Sequence, residues 1–216
     1  MWKYHPQSRH FDKFELQFWK NGKIEIDDVT PEQQRNLTTW YAEHAVDFIE
    51  RNADNPFFLY VPHNMPHVPL FCSDKFEGKS GEGLYADVMM EIDWSVGQIM
   101  DVLERKGVAD DTVFVFTSDN GPWLSYGNHA GYTPYREAKG TGFDGGTRSA
   151  CVIKYPNGIP AGQQSHQAFC SVDLLPTFAK LAGAELPDYK IDGVDVYDIV
   201  TCQPNATNPH EYYPVS

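Results

Sequence analysis

A chain of 216 residues is long enough to bury one hydrophobic core and short for two domains. Hydrophobic residues make up 41% and charged residues 22%, the balance of a folded globule and not of a disordered tail. A formal net charge of -13 argues against a nucleic-acid partner, and the chain has neither a polybasic segment nor an apolar run of the roughly 20 residues needed to span a bilayer.

The opening Met1 to Pro6 has no apolar signal core, so the chain supplies no export signal and its compartment stays open. Cys72, Cys151, Cys170 and Cys202 are widely spaced, without the close pairing of a zinc site; their even number permits disulfides without implying them. Asn36-Leu37-Thr38 and Asn205-Ala206-Thr207 fit the glycosylation acceptor pattern, which short triplets also meet by chance.

The first thirty residues lack a sustained period. Within them Asn21-Gly22, between Leu16 to Trp19 and Ile24 to Ile26, predicts a hairpin. Thr30-Pro31-Glu32-Gln33 places a capping residue before a proline at the first helical position, and Leu37, Tyr41, Ala45, Phe48 and Ile49 continue at helical spacing to about Asn52. Phe57 to Val61 is a continuous apolar run between prolines, which suits a strand buried on both faces of a parallel sheet. A proline-stiffened loop, Pro62 to Leu70, follows. From Leu84 to about Lys106 apolar positions recur at helical spacing, and Gly107 supplies a stop. Thr112 to Thr117 reads as a second buried strand, Cys151 to Tyr155 as a third apolar stretch and Val172 to Ala182 as a further helix. Strands alternating with helices predict an α/β doubly wound, mostly parallel sheet with helices on both faces. The organisation is one domain: a hairpin-bearing lead-in over 1–30, a core over 31–200 and a loop-like tail over 201–216, with both ends reading as cut.

Three segments can carry chemistry. Asp119 and Asn120 put a carboxylate and an amide oxygen side by side after a strand, where open α/β sheets place ligands; such hard donors suit Ca²⁺ or Mg²⁺. A plain turn explains the same residues. In Arg136 to Arg148 the glycines let backbone amides approach an anion, Lys139 offers a point charge, and Arg136 or Arg148 a planar fork; a solvated glycine loop is the competing reading. His67, in the loop after the first apolar run, can donate to a substrate oxygen or protonate a leaving group, and His63 competes with it on composition.

Pro66-His67-Val68-Pro69-Leu70, a long helix, Thr117-Ser118-Asp119-Asn120-Gly121, Lys139-Gly140-Thr141 and Asp144-Gly145-Gly146-Thr147-Arg148 follow in that order. So ordered, with Ser171 to Thr177 and Asp192 to Asp195 beyond them, the motifs resemble the sulfatase family of the alkaline phosphatase superfamily from about Leu37 to Asp198. The resemblance implies that Asp119 and Asn120 are two ligands of one divalent cation, usually calcium. It implies that Lys139 and His67 hold the sulfate, with His67 near the leaving ester oxygen. Both roles suit a sulfuryl group gaining charge on that oxygen. This chain departs from the family's pattern at Ala138, Gly142, Asp144 and Ser149-Ala150. Its 216 residues contain no Cys/Ser-x-Pro-x-Arg segment, the source of the family's formylglycine nucleophile; Cys202-Gln203-Pro204-Asn205-Ala206 has alanine where arginine is needed.

The reading that follows is part of a sulfate-ester hydrolase, with little turnover expected of the chain alone. A phosphoester or phosphonate hydrolase of the same superfamily, or a noncatalytic anion-binding scaffold, are the alternatives. The expected ligand is a sulfated small molecule or carbohydrate, and an incomplete sheet predicts self-association.

Overall fold

In the computed structural model the described residues are 15–124 and 132–213. They divide into two compact units, residues 15–109 with 123–124, and residues 110–122 with 132–213.

The first unit opens with the predicted hairpin. β1 (Phe18–Lys20) and β2 (Lys23–Ile26) pair antiparallel, and Asn21 and Gly22 take φ of 51° and 73°, the left-handed values of a type I′ turn. Phe18 reaches from the hairpin to the rings of Trp40 and Tyr41. The single helix predicted over 31–52 is two. α1 (Pro31–Gln34) starts from the capping box of Thr30 and Gln33, and α2 (Leu37–Asn52) follows after a break at Arg35 and Asn36. The cause lies in Asn36. Its side-chain amide donates to the Glu32 carbonyl, the acceptor its backbone N–H would use in a continuous helix, and that N–H goes to Gln33 instead.

α2 buries Leu37, Ala42, Ala45 and Ile49, and it packs against α3 (Leu84–Arg105), which buries Val88, Ile92, Ile99, Val102 and Leu103. α3 closes as predicted: Gly107 at φ 72° donates to Glu104 and Val108 donates to Leu103, the paired bonds of a Schellman cap. The predicted strand at Phe57 to Val61 is corrected. The segment is irregular, and no described residue pairs with it as a strand. Its side chains still alternate: Phe57, Leu59 and Val61 are half-buried, with Phe57 edge-on to Phe48, while Phe58 and Tyr60 are 72% and 75% exposed. Apolar content alone cannot make a strand where no neighbour takes its backbone groups.

In the second unit β3 (Phe114–Thr117) pairs antiparallel with β4 (Cys151–Lys154), from Phe114 opposite Lys154 to Thr117 opposite Cys151. Burial on both faces, expected from the apolar run, does not hold for these strands: Phe116 is exposed and Val152 is 64% exposed. The predicted helix from Val172 begins as a 3₁₀ turn at Ser171–Asp173, continues as α5 (Leu174–Ala182) and ends at Gly183 in the left-handed conformation. Its lock to the chain beyond is polar. Fully buried Asp173 accepts from the N–H of Cys170, the N–H of Val194 and Nε2 of His210, and Thr177 Oγ1 accepts from the N–H of Val196. Gly193 lies so close that a Cβ there would stand 2.0 Å from the Val172 carbonyl. No described helix is long and apolar enough to cross a membrane.

Candidate functional site

β3 delivers its last residue, Thr117, to the turn Ser118-Asp119-Asn120-Gly121. Thr117 Oγ1 donates to the Ala150 carbonyl at 3.0 Å, and Ser118 Oγ donates to the Asn120 carbonyl at 3.1 Å. These bonds hold the turn's backbone and leave the Asp119 side chain exposed, with Asn120 half-buried.

Against this turn the glycine loop packs backbone to backbone. Gly121 donates to the Gly146 carbonyl at 2.9 Å, Lys139 to the Pro122 carbonyl at 3.0 Å, and Gly145 to the Arg136 carbonyl at 2.8 Å. Only glycine permits this approach. A Cβ on Gly121 would stand 1.8 Å from the Gly145 carbonyl oxygen; on Gly145, 2.0 Å from that of Glu137; on Gly146, 2.3 Å from that of Thr141. The loop turns where Glu137 and Gly140 take φ of 62° and 88°, and Thr141 Oγ1 fastens it by donating to the Ala138 carbonyl. The second unit therefore brings Asp119, Asn120, Arg136 and Lys139 together through one interlocked pair of loops.

The two arginines of the loop are held flat. The Arg136 guanidinium lies 3.9 Å over the Phe143 ring with Glu137 beside it, and that of Arg148 lies 4.4 Å over Tyr135 and pairs with Asp144 at 3.4 Å. Lys139 is half-buried between them in sequence, on the segment bonded to Pro122.

His67 belongs to the first unit. Its loop is seated on α3 by apolar contacts, with Met65, Cys72 and Phe76 buried against Val88 and Ile92. A buried polar stripe one helical turn apart on α3 adds direction. Asp87 accepts from the N–H groups of Gly78 and Ser80 and from Ser80 Oγ, which hold its carboxyl below the usual range. Glu91 accepts from Ser73 N–H and Thr39 Oγ1, and Ser95 Oγ meets His63 Nε2 at 3.2 Å. That last contact separates the two histidines that composition left equal. His63 is packed between Tyr41 and Ser95, and burial pushes its imidazole below the usual value. His67 is half-buried in the loop, its Nδ1 2.7 Å from the Val68 carbonyl and its ring beside Trp123.

Asp119 and Asn120 fit a hard divalent cation in kind but not in number, since calcium takes about six to eight oxygens. Among the described residues no group of three or more His, Cys, Asp or Glu stands together. Sequence reasoning did not single out Trp123 or the buried carboxylates Asp87, Glu91 and Asp173. The signal for the α3 pair was their spacing four apart among apolar residues of a helix; nothing local marked Trp123.

The oxygen-donor turn after β3 and the glycine-rich loop thus form one interlocked backbone unit. The chain belongs to the sulfatase family: the Sulfatase family model matches residues 3–184. It is 38% identical to human steryl-sulfatase over 189 residues, 84% of this chain and 32% of that protein. It is 40% identical to N-acetylgalactosamine-6-sulfatase of Canis lupus familiaris over 185 residues, 83% of this chain and 35% of that one. Among solved structures it superposes on the PsFucS1 sulfatase from Pseudoalteromonas sp. with a TM-score of 0.79 at 28% identity, covering 88% of this chain and 39% of that chain. The fold is therefore the alkaline phosphatase-like α/β fold, and the chain spans about a third of the length of the curated relatives it matches.

Proposed function

We propose that this chain supplies part of a sulfate-ester hydrolase site. Asp119 and Asn120 contribute oxygens to a divalent cation, calcium or magnesium, and Lys139 and His67 grip the sulfate, with Arg136 at the edge of the same loop. The observation that carries this reading is the interlock of Gly121 with Gly146 and of Pro122 with Lys139, which places the oxygen-donor turn and the cationic loop side by side.

A bound cation would neutralise sulfate oxygens as charge develops. Lys139 adds a point charge through its ammonium, and a protonated His67 delivers a proton to the departing ester oxygen. The nucleophile is a separate requirement. No Cys/Ser-x-Pro-x-Arg segment is present to become formylglycine, so the chain alone is expected to turn over little or no aryl sulfate. The substrate class is a sulfated small molecule or carbohydrate, in keeping with the names of the relatives.

Calorimetry on the full chain tests this. Calcium and sulfate should each give a binding signal, calcium lost in Asp119→Ala and sulfate lost in Lys139→Ala. Phosphate competing more strongly than sulfate would point to a phosphoester hydrolase, and no binding of either ion to a scaffold. Asp119-dependent hydrolysis of a chromogenic aryl sulfate would overturn the expected inactivity. Self-association through exposed apolar segments belongs to the same reading: Phe58→Ser with Tyr60→Ser should lower the sedimentation coefficient of the wild-type assembly, and a wild-type chain that stays monomeric at all concentrations would refute it.

A further inference from the structure

We propose that Trp123 is the positioning residue for His67, holding its imidazole in the tautomer that carries the proton on Nδ1. This rests on the reading of His67 as the donor to the leaving oxygen. A backbone carbonyl only accepts, so the 2.7 Å contact between His67 Nδ1 and the Val68 carbonyl requires Nδ1–H. A neutral His67 then carries its lone pair on Nε2, and a proton added there is the one available to a leaving group. An unconstrained histidine prefers the opposite tautomer, so this arrangement has to be imposed by the protein.

Burial of Met65 and Val68 on either side fixes the backbone of the loop, yet backbone placement does not stop the ring from turning about Cβ–Cγ, which would carry Nδ1 away from the carbonyl. The indole of Trp123 does oppose that turn. Its ring centroid lies 5.7 Å from that of the imidazole at 51°, a tilted aromatic contact within the same unit.

The test reads the ring nitrogens of His67 by long-range ¹H–¹⁵N correlation on the full chain with ¹⁵N-labelled histidine, at alkaline pH and without added sulfate or metal, with His67→Gln for assignment. In the wild type Nδ1 should appear as a protonated nitrogen and Nε2 as an unprotonated one. Trp123→Phe should retain that pattern. Trp123→Ala and Trp123→Leu should shift both nitrogens toward values averaged over the two tautomers, while the His63 signals stay where they were as the check on folding. An unchanged His67 pattern in the Ala and Leu variants, or a wild type already protonated on Nε2, overturns the proposal. If Trp123→Ala does not fold, the contrast between Trp123→Phe and Trp123→Leu decides. Because neither ion is present, failure of sulfate to bind would refute the functional reading and leave this result standing, and the converse holds equally.

Discussion

Adding one methyl group at Gly121 and at Gly97 should move stability in opposite directions. At Gly121 the new Cβ would stand 1.8 Å from the Gly145 carbonyl oxygen and 3.3 Å from the Gly146 Cα, and because backbone, not a flexible side chain, opposes it, the two loops must separate. Overpacking of this kind costs about 1–3 kcal/mol. Separation also weakens the bonds from Gly121 to Gly146 and from Lys139 to Pro122, roughly 1 kcal/mol each. The reduced freedom of the unfolded chain returns about 0.4–1 kcal/mol, so the net loss for Gly121→Ala is on the order of 3 kcal/mol. Gly97 lies inside α3 with nothing within 4 Å of its Cβ position, and alanine there should stabilise by about 0.8–1.0 kcal/mol through helix propensity alone. Urea unfolding followed by circular dichroism and tryptophan fluorescence measures both. Gly121→Ala should lower the urea midpoint and Gly97→Ala raise it. A Gly121→Ala variant within about 0.5 kcal/mol of wild type, the usual spread for inert surface changes, would refute the close approach and with it the interlocked site.

Asp173→Ala should cost roughly 3 kcal/mol, because the N–H groups of Cys170 and Val194 lose their acceptor and the His210 contact is lost with them; the midpoint of thermal unfolding reports it, and a change too small to measure would show that water replaces the carboxylate. His63 should make the protein less stable in mild acid. Burial holds its folded pKa below the ordinary 6.5, so the unfolded chain takes up the proton first: the cost is absent above pH 6.5 and grows as the pH falls toward the folded value. The difference in unfolding free energy between wild type and His63→Gln should therefore change with pH in that window, and a constant difference would count against a buried neutral imidazole.

Much of the local structure was legible because its causes are local. Asn21-Gly22 accepts the two positive φ values that a tight hairpin needs, Thr30 caps and Gly107 stops, and each does so with atoms a few residues away. Phe57 to Val61 misled for the complementary reason. Apolar content records what a segment would bury, whereas a strand exists only where another backbone takes its hydrogen bonds. The break at Asn36 escaped because a side-chain amide competing for one carbonyl leaves the apolar period untouched.

By itself the amino-acid order determined the family and the identities of the candidate ligands, since the ordered motifs around His67, Asp119, Lys139 and Arg148 depend on residue type and sequence spacing. Tertiary structure alone decided that Gly121, Gly145 and Gly146 are close-approach points, that His63 is packed between helices while His67 sits beside Trp123, and that Asp87, Glu91 and Asp173 point inward to tie loops down. The physical reason is range. Capping, turn conformation and helical period are set within about one turn of chain, but carbonyl-to-glycine contacts and buried carboxylates depend on which distant backbone arrives opposite them.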